Sequence, residues 1–132
     1  MGAGTDTSAP ERRVSVLVAD DIADLRELTK YGIQEDPGFD VVAEAATGNE
    51  AIAAVEAHGP DVVLLDLSMP GMDGFTAIGE IRRRSETVTI MVLSGFPAAR
   101  MREPVLEQGA DEYVEKGTSM SRLRELTLGA LI

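Results

Sequence analysis

Residues 61–74 read DVVLLDLSMPGMDG, and they predict a buried strand that ends in a polar turn. It opens with the apolar run Val62–Leu65, which is typical of a strand buried on both faces of a parallel sheet. Asp66 follows directly, and Pro70 and Gly71 then predict a turn. A carboxylate at the exit of a buried strand, with a turn behind it, is well placed for chemistry.

Four further short apolar runs share this character, and helix-like segments separate all five. With Asp61–Leu65, the runs are Val14–Ala19, Phe39–Ala43, Val88–Leu93 and Glu112–Val114. Strict alternation of strands and helices predicts an α/β fold, with a doubly wound parallel sheet covered on both faces. We expect one domain over residues 14–132 and a disordered polar tail at residues 1–13.

Capping and breaking residues mark the expected helix ends. Thr47 and Glu50 form a capping-box pattern that predicts the start of the second helix. Pro104 falls inside the fourth expected helix, and proline disfavours both its own helix interior and the residue before it. We therefore predict that this helix starts near Glu103 and that Phe96–Arg102 forms a loop.

Composition narrows the class of protein. The chain has 132 residues, of which 44% are hydrophobic, enough for the core of one domain. It has no cysteine, which excludes disulfides and thiolate chemistry. No apolar run approaches the roughly 20 residues that span a bilayer, so we expect a cytoplasmic protein without a membrane partner. The net charge of −11 argues against direct nucleic-acid binding by this chain.

Polar side chains follow three other predicted strands. Asp20 and Asp21 come after the first strand, Ser94 after the fourth and Lys116 after the fifth. Because the carboxyl ends of parallel strands lie at one edge of a sheet, we expect these side chains to converge with Asp66.

Three converging carboxylates would repel one another unless a cation lies between them. Mg²⁺ prefers oxygen ligands and retains several waters, so it fits this set. We predict Asp21 and Asp66 as direct ligands, together with the backbone carbonyl of Ser68. Asp20 acts through water or orients the site.

The remaining polar groups suit a phosphoryl group. The Lys116 ammonium can pair with Asp66 or with a phosphoryl oxygen, and Ser94 can donate a hydrogen bond to the same oxygens. The Asp66 carboxylate is the nucleophile of the set, and an aspartyl phosphate is known chemistry for such a group.

These residues resemble the receiver domain of two-component response regulators, from about Arg13 to the C-terminus. The matching segments are Val18–Asp21, Leu65–Gly74, Leu93–Gly95 and Gly109–Lys116. The resemblance implies a flavodoxin-like fold of five strands in the order 2-1-3-4-5. It implies that Asp66 takes a phosphoryl group from a sensor histidine kinase or a phosphotransfer protein. The acids at 20, 21 and 66 would hold Mg²⁺, and Ser94 and Lys116 would bind the phosphoryl group.

The resemblance also implies a conformational switch. Tyr113 stands at the family's aromatic switch position and would rotate inward as Ser94 moves toward the phosphoryl group. The output face would be the last helix, strand and helix, which is also a possible homodimer surface. Lys116 followed by Gly117 looks like receivers attached to helix-turn-helix domains, so we expect transcriptional output through a domain absent from this chain. Such a chain is no enzyme beyond its own phosphorylation and dephosphorylation.

Two other functions stay open on the sequence. One is a metal-dependent phosphohydrolase with an aspartyl nucleophile. Enzymes of the haloacid dehalogenase type need a second acid two residues after that nucleophile, where this chain has Ser68. The other is a degenerate receiver that binds partners without phosphorylation, against which the complete polar set argues.

Overall fold

A computed structural model describes residues 13–132 of the chain. The expected disordered tail lies outside the described residues except for Arg13, which is exposed and precedes the first strand. None of the helices in residues 13–132 has the length and apolar character needed to cross a bilayer.

Five strands alternate with five helices along the described residues. The strands are β1 (Val14–Ala19), β2 (Phe39–Ala45), β3 (Val62–Leu65), β4 (Thr89–Ser94) and β5 (Glu112–Glu115). The helices are α1 (Ala23–Gln34), α2 (Gly48–His58), α3 (Gly74–Arg84), α4 (Ala98–Gln108) and α5 (Met120–Ala130). Every strand that the apolar runs predict is present, with ends that differ by at most two residues.

The five strands form one parallel sheet in the order β2-β1-β3-β4-β5. This confirms the doubly wound α/β fold and the strand order 2-1-3-4-5. The chain passes from β1 to β2 on one side, and the next strand, β3, lies on the other side of β1. The strand order reverses there, which opens a crevice at the carboxyl ends of β1 and β3. Asp20 and Asp66 stand at those two ends.

Each face of the sheet is covered by its own apolar cluster. On one face Leu17 packs in a cluster with Ile78 and Val105, so α3 and α4 lie on that side, as does α2. On the other face Val16 packs with Ile33 of α1 and Leu123 of α5. Neighbouring β1 residues thus enter opposite clusters, because side chains of a strand alternate between faces. All four residues of β3 are buried, as their apolar run predicts.

The start of α2 has the N-cap bond of the predicted capping box, but its reciprocal bond is displaced by one residue. Thr47 Oγ1 accepts a hydrogen bond of 3.1 Å from the Glu50 amide, and Glu50 Oε1 accepts one of 2.8 Å from the Ala46 amide. The Glu50 side chain therefore reaches one residue further back than the pattern requires, and the two bonds satisfy two amide donors at the entrance to the helix.

The fourth helix contradicts the sequence prediction. The prediction of a loop at Phe96–Arg102 and a helix that starts near Glu103 was wrong. Instead, α4 runs unbroken from Ala98 to Gln108 with Pro104 inside it. Tertiary packing explains the difference. Val105 is fully buried, and three partly buried side chains of α4 pack on the same cluster; they are Ala98, Met101 and Leu106. Burial on this scale outweighs the one backbone hydrogen bond that Pro104 removes.

Replacing Pro104 with alanine should therefore stabilise the protein. Pro104 is exposed, and alanine restores an amide that can donate to the carbonyl one turn earlier. We expect the free energy of unfolding to rise by about 1–3 kcal/mol, the helix gain being partly offset by a freer unfolded chain. Urea denaturation measures this. Glu107→Ala, an exposed change in the same helix, should shift stability by less than about 0.5 kcal/mol. An unchanged Pro104→Ala midpoint would contradict the explanation.

Candidate functional site

The three predicted acids meet at the carboxyl end of the sheet. Asp20, Asp21 and Asp66 each offer a carboxylate oxygen, and these oxygens lie within 4.8 Å of one another. Asp20 and Asp66 are buried, at 4% and 3% exposure, whereas Asp21 is exposed at the mouth. The structure therefore brings together the acid pair of one strand exit and the single acid of another.

Each buried carboxylate divides its oxygens between a backbone amide and Lys116. Asp20 Oδ1 accepts from the Ile22 amide at 2.9 Å, and Asp66 Oδ1 accepts from the Ser68 amide at 3.0 Å. The other oxygen of each, Oδ2, lies 3.3 Å from Lys116 Nζ. Both carboxylates are thus held in fixed orientations before any ligand arrives.

Lys116 is half-buried, and its environment favours the charged form. Burial alone would lower its pKa, but the nearby charges of Asp66 and Asp20 outweigh that effect and raise the pKa of Lys116. The ammonium therefore stays protonated at neutral pH. Its single positive charge offsets one of the three carboxylates, so the cluster keeps two negative charges.

That balance fits a hard divalent cation. Carboxylate oxygens are the ligands that Mg²⁺ prefers, and two residual negative charges match its charge. Asp20 and Asp66 have the same pattern of engaged oxygens, so the water-mediated role of Asp20 stays a prediction. The Ser68 amide is tied to Asp66, which places its backbone beside the cluster. A metal-binding role for the Ser68 carbonyl stays a prediction.

Ser94 lies at the end of β4 and is fully buried. Its carbonyl accepts from the Lys116 amide at 2.7 Å, which joins the two strand ends. Its hydroxyl accepts from the Phe96 amide at 3.2 Å. The structure thus places Ser94 beside Lys116, with its hydroxyl engaged by the loop that follows β4.

Tyr113 is also buried, at 5% exposure, and packs in the cluster that includes Val105 of α4. Its hydroxyl donates to the Phe96 carbonyl at 2.6 Å. Ser94 therefore holds the amide of Phe96 and Tyr113 holds its carbonyl. The two residues expected to act as a switch are linked through a single residue of the β4–α4 loop.

Two contacts near the site escaped the sequence reasoning. Arg26 of α1 donates to the Asp20 carbonyl, and Glu115 at the end of β5 accepts from the Ala98 amide at the start of α4, at 2.6 Å. The first contact spans six residues at the β1–α1 junction and the second spans seventeen residues, and neither follows a helix or strand period. Glu115 supplies the anion at the α4 start that Pro97, its N-cap residue, cannot supply.

Comparisons with known proteins agree with this geometry. The response regulator receiver domain family matches residues 16–127. Chemotaxis protein CheY of Bacillus subtilis is 34% identical over 110 residues, which cover 83% of this chain and 91% of CheY. The receiver domain of NarL from Mycobacterium tuberculosis superposes with a TM-score of 0.86 at 29% identity, covering 92% of this chain and 98% of that one.

A longer relative matches only in part. A protein-glutamate methylesterase/protein-glutamine glutaminase of Alkalilimnicola ehrlichii is 39% identical over 105 residues, which cover 79% of this chain. The match covers 27% of that relative, so this chain spans about a quarter of its length. The family match extends over most of this chain and CheY is matched over nearly its full length. The chain therefore belongs to the receiver-domain family of two-component response regulators.

Proposed function

We propose that Asp66 is the phosphoryl acceptor of this receiver and that a histidine kinase or phosphotransfer protein is the donor. One observation carries the proposal: Asp66 is a buried carboxylate within the three-acid cluster, 3.3 Å from the Lys116 ammonium. An acid in that position is held in a fixed orientation beside a positive charge. Those are the needs of a nucleophile that must approach an anionic phosphoryl group.

The transfer needs little from the protein besides position and charge. A carboxylate oxygen of Asp66 attacks phosphorus, a P–O bond forms, and the P–N bond to the donor histidine breaks with its electron pair leaving on the imidazole. Asp21, Asp66 and the Ser68 carbonyl would hold Mg²⁺ directly, with Asp20 acting through water. When bound, Mg²⁺ neutralises charge on the group in transfer. Lys116 stabilises the same oxygens from the protein side.

The switch would follow from the added charge. A phosphoryl group brings roughly −1.5 to −2 charges to the site, and the Ser94 hydroxyl is a donor that can turn toward it. That turn gives up the bond from the Phe96 amide. Because the Tyr113 hydroxyl donates to the Phe96 carbonyl, displacement of the loop also changes the hydrogen bond that holds the Tyr113 side chain. The two-state element is thus the β4–α4 loop.

The surface made by α4, β5 and α5 is the proposed output and homodimer face. Support comes from the edge strand β5, whose Tyr113 packs in the cluster of α4 and whose Val114 packs in the cluster of α5. The start of α4 is also tied to β5 through Glu115. We propose transcriptional control as the output. Support comes from Gly117 after Lys116, a pair that resembles receivers attached to helix-turn-helix domains. The methylesterase relative makes an attached enzyme the other candidate output.

Phosphoryl uptake tests the proposal directly. Incubation with acetyl phosphate and Mg²⁺ should add one phosphoryl group to the wild-type chain by intact mass. Asp66→Asn should add none, because an amide is a poor nucleophile. Asp24→Asn, which neutralises an exposed acid of α1, should behave as wild type, and EDTA should abolish uptake.

The same experiment separates the other functions. Absence of uptake in the wild type would contradict the proposal and favour a receiver that acts by binding alone. Steady release of phosphate from small phosphate esters, with no stable adduct, would favour a phosphohydrolase.

A further inference from the structure

Arg26 links the acid pair to a neighbouring strand. Its Nη1 donates to the Asp20 carbonyl at 2.7 Å, and its Nε donates to Glu44 Oε1 at 2.8 Å. The side chain is only 18% exposed, so it lies along the protein surface. One guanidinium thus connects α1, the backbone of the acid pair and the end region of β2.

The far side of this contact is itself anchored. Glu44 Oε2 accepts from Lys30 Nζ at 2.8 Å, so both oxygens of Glu44 are engaged by α1. Hydrogen bonds from Lys30 and Arg26 lower the pKa of Glu44 and keep it ionised. Arg26 is therefore clamped between an ionised carboxylate and a carbonyl, a geometry that suits its planar fork of donors.

The junction from β1 to α1 depends on this contact because its local cap is weak. Ile22 occupies the N-cap position and has no side-chain oxygen to offer. Lys116 and the Ala45 carbonyl hold Asp20 itself, and the Arg26 amide donates to the Ile22 carbonyl at 2.9 Å. The peptide between Asp20 and Asp21 is held by the bond from the Arg26 side chain to the Asp20 carbonyl, beside the bond from the Ile22 amide to Asp20 Oδ1. Asp21, exposed, lies between these two points.

We propose that Arg26 is a positioning residue for the cation site. It fixes the peptide plane between Asp20 and Asp21, and thereby the direction in which the Asp21 carboxylate faces Asp66. The inference rests on the proposed cation site, but its core claim concerns the backbone and holds in the metal-free protein. Arg26 touches neither the cation nor the phosphoryl group.

Charge and positioning predict opposite effects on cation affinity. If Arg26 acted only through its charge, its removal would strengthen Mg²⁺ binding, because a nearby positive charge repels a cation. If Arg26 acts by positioning, its removal weakens binding, as loss of supporting contacts around metal ligands commonly does. Arg26→Lys keeps the charge and loses the fork, so it isolates the positioning effect.

Calorimetric Mg²⁺ titration of the whole chain gives the first readout. We expect the dissociation constant to rise about tenfold for Arg26→Met and several-fold for Arg26→Lys. Arg84→Met is the matched control, since Arg84 pairs with Glu80 and Glu56 at the end of α3. It should leave the constant unchanged. Arg26→Met binding as tightly as the wild type, or more tightly, would overturn the proposal.

Amide hydrogen exchange without metal gives the second readout. Exchange at Ile22 should quicken several-fold in both Arg26 variants, while Val16, deep in β1, exchanges as in the wild type. Unchanged Ile22 exchange would overturn the proposal. Should the wild type bind no Mg²⁺, the proposed cation site would fail, and Ile22 exchange alone would still decide whether Arg26 holds the acid pair in place.

Discussion

A Gly74→Ala variant should lose about 3 kcal/mol of unfolding free energy, because one added methyl group meets backbone that cannot turn aside. A Cβ at Gly74 would overlap Leu67 Cδ2, and it would lie 2.8 Å from Leu67 Cα and 3.0 Å from the Leu67 carbonyl oxygen. The Leu67 side chain can rotate, but its Cα and carbonyl can only move with the chain. The better helix propensity of alanine, about 1 kcal/mol, offsets a small part of the loss.

The same clash should reach the site. Leu67 lies between Asp66 and Ser68, so a displaced Leu67 backbone alters the amide that Ser68 donates to Asp66. Misplacement by about 1 Å can cost a hundredfold in rate. We therefore expect phosphoryl uptake from acetyl phosphate to slow by at least about tenfold, a loss that follows the position of Asp66 rather than global unfolding.

Gly79→Ala is the matched control for both measurements. It makes the same change in the same helix, but its Cβ would meet only Gln108 Nε2, at 3.1 Å, the end of a flexible side chain. That variant should be neutral or more stable by up to about 1 kcal/mol. Equal urea midpoints for the two variants would show that the Gly74–Leu67 contact does not limit the fold.

The second large effect should come from Lys116→Met. Without the ammonium, buried Asp20 and Asp66 lose the positive charge that lies 3.3 Å from each. Breaking a fully buried pair costs about 3–5 kcal/mol, and the partial exposure of Lys116 reduces the expected loss to about 1–3 kcal/mol. Urea denaturation in EDTA measures it. Saturating Mg²⁺ should restore more stability to the variant than to the wild type, since the cation can replace the missing charge.

A double-mutant cycle gives this prediction its control. Asp66→Asn removes one of the charges that Lys116 offsets, so Lys116→Met should cost less in that background than in the wild type. Additive effects of the two changes, within about 0.5 kcal/mol, would mean that the contact is not energetically coupled.

The effect of Lys116→Met on the free energy of unfolding should also depend on pH in the alkaline range. The pKa of Lys116 is raised in the folded chain, so its stabilisation is complete below the ordinary lysine pKa and is lost as pH rises through the folded value. Between neutrality and about pH 10, the difference between wild type and Lys116→Met should stay constant, and above that it should shrink.

Much of the fold and site could be predicted because the decisive signals are local. An apolar run such as Val62–Leu65 can be stable only inside a covered sheet, and parallel strands bring their exits to one edge. The convergence of the polar residues at the strand ends could therefore be predicted without knowing their contacts; they are Asp20, Asp21, Asp66, Ser94 and Lys116. The acid cluster and its lysine partner followed from position alone.

The errors and omissions share a physical cause. Pro104 is a strong local signal against helix, but the burial of Val105 belongs to the tertiary structure and outweighs it. Arg26 acts through Glu44, eighteen residues away in the chain, and Glu115 through Ala98, seventeen residues away. A side chain that connects separate elements produces neither a hydrophobic period nor a capping pattern in the sequence, so sequence reasoning does not find it.

The end of β5 carries opposite charges on neighbouring residues, and this has a consequence for strand register. Glu115 reaches the start of α4, while Lys116 reaches the buried acids. β5 is a four-residue edge strand that pairs on one side only, so few backbone hydrogen bonds fix its register. A slip that put Glu115 in the place of Lys116 would add a fourth carboxylate to the acid cluster and remove its ammonium. Charge repulsion thus disfavours the misregistered sheet, so the charges around the proposed phosphorylation site also help the last strand to pair correctly.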